Sequence, residues 1–134
     1  MKTRFILECP EDTNFSVLAI HTHIKGYKLC WNINKALGVT FEKNKDHNVE
    51  ENLWFSRYTY ICEEGVEYNL VANRSKKGYL MPKQKSVNYF LVIENNQQKT
   101  KQDFLNKIKG VKDVLLVFEL ETKLIKEIDR FIFK

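Results

Sequence analysis

The chain has 134 residues, of which 43% are hydrophobic and 29% are charged, and its formal net charge is +5. This length is close to the commonest domain size, so we expect residues 1–134 to form one domain with its own hydrophobic core. The composition excludes an intrinsically disordered chain and a disulfide-dense secreted scaffold. The basic balance favours an anionic partner, although lysines that only keep the surface soluble would give the same charge.

The cysteines and the hydropathy pattern indicate in which cellular compartment we expect the protein. Cys9, Cys30 and Cys62 are an odd number at wide spacings, which matches neither a disulfide framework nor a zinc pattern. No apolar stretch approaches the roughly 18 residues of a transmembrane helix, and the apolar run near the start is too short for a signal peptide. We therefore expect a cytoplasmic protein without a membrane span, and the sequence leaves its oligomeric state open.

The first quarter of the chain predicts strands followed by a helix. Residues 2–8 alternate weakly and predict a strand, while residues 15–20 are apolar and fit either a strand or the start of a helix. Residues 23–37 predict a helix, with Thr22 as its N-cap and Gly38 at its C-terminus. Its apolar residues recur at helical spacing on one face: Leu29, Cys30, Ile33, Ala36 and Leu37.

The middle of the chain predicts a hairpin. Residues 39–43 predict a short strand, and the polar residues 43–52 predict an exposed loop. Residues 53–62 are rich in the aromatic and β-branched residues that strands prefer. A short connection containing Gly65 separates them from a second strand at 67–74, so the two strands are expected to pair.

The last third predicts a strand–helix–strand unit. Residues 87–94 predict a strand, and a capping box beginning at Thr100 predicts a helix over 101–109 that Gly110 ends. Residues 113–119 are almost continuously apolar, like a strand buried on both faces. The length of this connection allows a parallel, right-handed crossover.

The final segment also has a helical pattern, with its apolar residues on one face: Leu124, Ile125, Ile128 and Phe131. Together these elements predict an α+β fold in which a single layer of two or three helices packs on a mixed, largely antiparallel sheet.

Two segments resemble blocks of a known family. Residues 73–94, NRSKKGYLMPKQKSVNYFLVIE, resemble the signature of the IPExxxVDY family, and residues 27–37 resemble that family's other recurrent block in matching order and spacing. This is a family of small bacterial proteins without assigned biochemistry. The resemblance implies genes that neighbour those of fatty-acid synthesis and ribonuclease III, which suggests links to an acyl carrier protein or to RNA.

The chain departs from the name-giving motif at its two charged positions. Pro82, Val87 and Tyr89 match, whereas Lys83 replaces the glutamate and Asn88 the aspartate, and the isoleucine position is also changed, to methionine. Asn88 cannot act as a general base and Lys83 has the opposite charge, so the motif predicts no acid/base pair here. We interpret it as a loop in which the proline ends one pairing and the next strand then begins.

The densest positive cluster of the sequence lies in this same stretch. Its cations could neutralise phosphates and its tyrosines could stack on bases, although a solvated turn with ordinary surface lysines gives the same pattern. The candidate anion-binding or RNA-binding residues are Arg74, Lys76, Lys77, Tyr79, Lys83 and Lys85, with Tyr89 as a further aromatic. A second cluster is better explained as a solvated helical face: Lys99, Lys101, Lys107, Lys109 and Lys112.

The predicted first helix carries a second candidate surface. Tyr27, Trp31 and Asn34 lie on one flank and could form a protein interface, although Trp31 could instead cover the core edge while Asn34 bonds locally. His21 and His23 would share a face on a strand but have no further ligand at a fitting spacing, so we expect no metal site. Cys30 falls on the apolar helix face, where an inert buried thiol is expected.

No glycine-rich phosphate loop, nucleophile elbow or paired-carboxylate motif occurs in the sequence. We therefore expect no catalytic residues, no cofactor and no enzymatic activity. The sequence favours a non-catalytic binding domain whose basic surface contacts RNA or a ribonucleoprotein. The alternative is an adaptor for an acidic partner such as acyl carrier protein.

Overall fold

The fold is built on one six-stranded sheet. The computed structural model describes residues 15–95, 97–122, 125 and 127–133, so the strand predicted at 2–8 lies outside the described residues. In chain order the strands and helices are β1 (Ser16–Thr22), α1 (Gly26–Leu37), β2 (Glu42–Glu50), β3 (Leu53–Ile61), β4 (Glu67–Ala72), β5 (Tyr89–Ile93), α2 (Gln98–Lys109) and β6 (Val114–Leu120).

The strand order is β2-β3-β4-β5-β1-β6, and every neighbouring pair is antiparallel. The predicted α+β fold, with helices on a largely antiparallel sheet, is therefore confirmed, as is the β3–β4 hairpin. The predicted strand–helix–strand unit is present in the fold as β5, α2 and β6. Strands β5 and β6 run in the same direction, but β1 lies between them and pairs antiparallel with both.

Both helices cover the same face of the sheet. Leu29 and Ile33 of α1 and Ile108 of α2 are completely buried, and they pack with the inward side chains of the central strands, such as Leu18 and Leu91. Because apolar residues in each helix recur every three or four positions, one stripe of each helix faces the sheet. This layer forms the larger of the two cores.

Irregular segments cover the opposite face. The connection between β4 and β5, residues 73–88, which we call the β4–β5 loop, buries Leu80, Met81 and Val87 there. A short 3-10 turn, Ile128–Phe131, buries Phe131 beside it, and the Phe131 ring meets that of Phe90 edge-on with centroids 5.1 Å apart. This turn replaces the predicted C-terminal helix, of which Leu124 lies outside the described residues.

Two predicted helix caps are wrong, and competing hydrogen bonds explain the first. Thr22 ends β1, and its hydroxyl donates to the Asp113 carbonyl at 2.7 Å, so α1 begins only at Gly26. Helix α2 begins at Gln98, which places Thr100 inside the first turn rather than at the N-cap. The predicted C-terminal glycine is confirmed, since Gly38 adopts the left-handed conformation with φ of 69°.

The outer strands of the described sheet, β2 and β6, also differ from what the sequence predicts. Residues 43–52 were expected to form a loop, but most of them belong to β2, whose side chains are mostly exposed because β3 is its one neighbour among the described strands. Strand β6 is not buried on both faces. It has only β1 as a described neighbour, and Leu115 and Leu116 are exposed.

Truncation of Leu29 tests the packing of α1 on the sheet. Because Leu29 is completely buried in the helix-side core, Leu29→Ala is expected to lower the free energy of unfolding by about 2–5 kcal/mol. Urea denaturation followed by circular dichroism measures the change, with the exposed Tyr27→Ala as a control expected to lose less than about 0.5 kcal/mol. Equal losses in the two variants would contradict this placement of the helix.

Candidate nucleic-acid interface

The β4–β5 loop owes its shape to one buried amide. Asn73 follows β4 and is completely buried, and its Nδ2 donates to the carbonyls of Gln84 and Val87, both at 2.8 Å. Its Oδ1 accepts from the Met81 N–H, also at 2.8 Å. One side chain thus satisfies three main-chain groups of the loop, which lets a segment without regular structure pack against the sheet.

Hydrogen bonds join the end of the loop to β1. Asn88 Oδ1 accepts from the Thr22 N–H at 2.8 Å, and its main chain bonds to both Ile20 and Asn73. Strand β5 then begins at Tyr89, as the interpretation of this motif as a loop followed by a strand predicted. The asparagine at this position therefore has a structural partner, and Lys83 lies exposed in a 3-10 turn, Pro82–Gln84.

A tight turn at the start of the loop presents two cations. Arg74 and Tyr79 form an antiparallel bridge, and the Ser75 N–H donates to the Gly78 carbonyl at 2.8 Å. Lys76 and Lys77 occupy the tip between them and are exposed. A residue outside the loop also stabilises this turn, because the Arg130 guanidinium donates to the carbonyls of Tyr79 and Leu80.

The turn lies beside an exposed tryptophan at the start of β3, and together they line a cleft of about 380 Å³, which we call the Trp54 cleft. Its lining residues are Asp46, Asn52, Trp54, Ser56, Arg74, Ser75, Lys76 and Lys77. The Trp54 side chain is 53% exposed. The Asp46 carboxylate is already paired with Lys43 Nζ at 2.7 Å, so cations dominate the cleft.

Sequence reasoning missed Trp54. The alternation along β3 contained a signal for it, because Phe55 and Arg57 point into the fold while Trp54 and Ser56 point outward. The cleft itself depends on a contact between β3 and the loop after β4, which no local pattern reveals.

The structure brings together only part of the predicted basic cluster. Arg74, Lys76 and Lys77 line the Trp54 cleft, whereas Lys85 lies over the Tyr79 ring, with its Nζ 5.6 Å from the centroid. Tyr89 packs against the helix-side core and does not line the Trp54 cleft, so the structure gives it no part in this surface.

The three residues of the candidate interface on α1 also have different roles in the structure. Tyr27 and Trp31 are 59% and 60% exposed, in line with an accessible patch. Asn34 is used locally instead: its Nδ2 donates to the Phe41 carbonyl at 3.0 Å and its Oδ1 accepts from the Phe41 N–H at 2.7 Å. In the second lysine cluster, Lys101 forms an ion pair with Glu119 at 2.7 Å, while Lys107 and Lys109 are exposed on α2.

Burial raises the pKa of one thiol and of tyrosine hydroxyls inside the fold. Burial raises the pKa of the Cys30 thiol to about 11, and its sulfur contacts the Phe41 carbonyl at 3.3 Å. Burial also raises the pKa of Tyr68 to about 12, and that of Tyr89 above its usual value. Among the described residues, no group of three or more histidine, cysteine, aspartate or glutamate side chains could hold a metal ion.

Comparison with known proteins adds no functional assignment: no family model and no curated protein matches this chain. The resemblance to the IPExxxVDY family therefore remains an expectation from the residues. Within the described part of the chain, neither helix has the length and apolar character needed to cross a membrane.

Thiol alkylation tests the environment of Cys30. A rise of its pKa to about 11 leaves little thiolate at neutral pH, and burial also blocks access. We expect iodoacetamide at pH 8 to modify Cys30 at least ~100-fold more slowly than a model thiol with an ordinary pKa. Peptide mapping by mass spectrometry measures the rate, and the partly exposed Cys62 is the internal control. Modification of Cys30 as fast as Cys62 in the folded protein would show that this thiol is available for chemistry.

Proposed function

We propose that this protein is a non-catalytic domain that binds single-stranded RNA in the Trp54 cleft. The observation that carries the proposal is the position of the exposed Trp54 ring in one cleft with Arg74, Lys76 and Lys77. An aromatic platform beside several cations is the arrangement by which proteins hold single-stranded nucleic acid without catalysis.

Each component has a distinct role in this binding. The Trp54 ring offers a face on which one base stacks, which suits any base because every base has a π-face. Arg74, with its planar guanidinium, can make two parallel hydrogen bonds to one phosphate. Lys76 and Lys77 act as point charges at the exposed tip, where they neutralise phosphates on either side of the stacked base.

The geometry favours a single strand over a duplex. A base can reach the Trp54 ring only when it is unstacked from its neighbours, and bases in loops and single strands meet that condition at the lowest cost. The main chain that carries the cations is ordered before binding, because the Arg74–Tyr79 bridge and the Ser75–Gly78 hydrogen bond fix the turn. A preformed site loses less conformational entropy when the ligand binds.

The alternative function, an adaptor for an acidic protein such as acyl carrier protein, would use the same lysines without a stacked aromatic. The two functions therefore differ in their dependence on Trp54. An acidic protein surface needs the charges of the Trp54 cleft, whereas RNA needs both the charges and the ring.

Variants of the cleft test RNA binding directly. With a fluorescein-labelled 12-nucleotide RNA, we expect Trp54→Ala to weaken binding by about 1–3 kcal/mol and to leave the salt dependence unchanged, because the variant removes base stacking and keeps every cation that meets a phosphate. Lys76→Glu with Lys77→Glu is expected to abolish binding at 100 mM salt and to lower the log–log salt slope by about 0.7 for each phosphate that is no longer neutralised. Fluorescence anisotropy measures both quantities.

The matched control has the same change of charge at another place. Lys107→Glu with Lys109→Glu reverses two exposed lysines of α2 outside the Trp54 cleft, and it is expected to retain most of the affinity. If the wild-type protein does not bind the RNA at low salt, or if the control loses as much affinity as the cleft variant, RNA binding at this site is wrong.

A further inference from the structure

A second cleft lies on the helix side of the fold, between α1 and the connection from α2 to β6. We call it the Trp31 cleft, and its volume is about 580 Å³. The lining residues are Lys28, Trp31, Asn32, Lys35, Ala36, Gly110 and Lys112. Three of them are lysines and none is acidic, so this cleft presents positive charge around an aromatic ring.

Hydrogen bonds to the carbonyls of Lys112 and Asp113 fix the main chain at this cleft. Asn32 is only 6% exposed, and its Nδ2 donates to the Lys112 carbonyl at 3.1 Å. The Thr22 hydroxyl donates to the next carbonyl, that of Asp113, at 2.7 Å. The connection after α2 is thus hydrogen-bonded to both α1 and β1. These bonds fix the main chain of Lys112 at the rim of the cleft before a partner binds.

Trp31 in the cleft and Tyr27 beside it on α1 have the features of an interface anchor. Tyr27 and Trp31 are four residues apart on α1, which places them side by side, and each exposes more than half of its surface. Neighbouring exposed aromatic side chains mark interaction sites on many proteins, and tryptophan and tyrosine dominate the binding energy of many protein interfaces.

The arrangement of charge distinguishes this cleft from the Trp54 cleft. Lys35 Nζ lies 4.9 Å from the centroid of the Trp31 ring, so an ammonium already occupies one face of the indole. A base that stacked on this face would have to displace it. The cations here are all lysines, which bind single carboxylates as point charges, and they lack the planar fork by which arginine holds a phosphate.

We propose that the Trp31 cleft binds an acidic segment of a partner protein, with carboxylates on Lys28, Lys35 and Lys112 and an apolar side chain against Trp31 and Ala36. The charge complementarity of the lining selects this partner, since a net positive cleft with an apolar floor matches alternating acidic and apolar side chains. This inference is independent of RNA binding, because it uses another cleft and other residues.

The two tryptophans of the chain make the two clefts separately observable. Trp54→Phe leaves Trp31 as the only tryptophan, and Trp31→Phe leaves only Trp54. The probes are a 14-residue peptide that alternates glutamate and leucine pairs, the same peptide with glutamine in place of glutamate, and the 12-nucleotide RNA. Tryptophan emission is recorded during each titration.

We expect the acidic peptide to change the emission of Trp31 in the Trp54→Phe protein with saturation, and to leave the Trp54 emission of the Trp31→Phe protein unchanged. Lys35→Glu with Lys112→Glu in the Trp54→Phe background is expected to weaken the peptide at least tenfold. The control Lys45→Glu with Lys83→Glu makes the same change of charge outside both cleft linings and is expected to weaken it less than twofold.

Three results would overturn this proposal. They are an unchanged Trp31 emission up to 1 mM acidic peptide, equal binding of the glutamine peptide, and a larger response of Trp31 to the RNA than to the peptide. The last result would assign the cleft to nucleic acid. A failure of the RNA to change Trp54 emission would instead count against RNA binding at the Trp54 cleft and leave this inference standing.

Discussion

The burial of the Asn73 amide is the interaction on which the shape of the β4–β5 loop and of the proposed RNA-binding cleft depends. The β4–β5 loop has no regular structure over most of its length, yet it packs Leu80, Met81 and Val87 against one face of the sheet, beside the turn that buries Phe131. A buried loop needs partners for its main-chain polar groups, and leaving such groups unpaired costs about 1–3 kcal/mol each. The three hydrogen bonds of the Asn73 side chain meet that need from a single position.

The same constraint creates the Trp54 cleft. Because the loop leaves β4 through Asn73, the turn that carries Arg74, Lys76 and Lys77 emerges beside the start of β3, where Trp54 points outward. None of these four side chains is needed by the core, and all are available to a ligand. Asn73 thus fixes the main chain of the loop from inside the fold, while the side chains of Trp54, Arg74, Lys76 and Lys77 are exposed.

Much of this fold was predictable from local patterns, and the errors have physical causes. The helical spacing of Leu29 and Ile33 and the β-rich composition around Phe90 identified α1 and β5, because burial on one stripe or face leaves a periodic trace in the sequence. The polar strand β2 left no such trace, since it pairs through its main chain at the edge of the sheet. The position of β1 between β5 and β6 was also hidden, because strand order depends on contacts distant in sequence.

The candidate site was predictable in part for the same reason. The cluster of cations after β4 was visible as composition, but Trp54 lies about 20 residues earlier in the chain and joins it only through the sheet. The role of Asn73 was equally invisible, because an asparagine in a polar stretch has no pattern that distinguishes a buried amide from a solvated one. Tyr89 was grouped with the cations by sequence proximity, although it packs against the helix-side core and does not line the cleft.

The most direct test of this account is a measurement on Asn73→Ala, which changes no residue of the Trp54 cleft lining. Amide hydrogen exchange should show lower protection at Met81 while the amides of β1 and β5 remain protected, and the affinity for the 12-nucleotide RNA should fall at least tenfold. Unchanged protection of Met81 together with an RNA affinity within twofold of the wild type would contradict the claim that this buried amide builds the recognition surface.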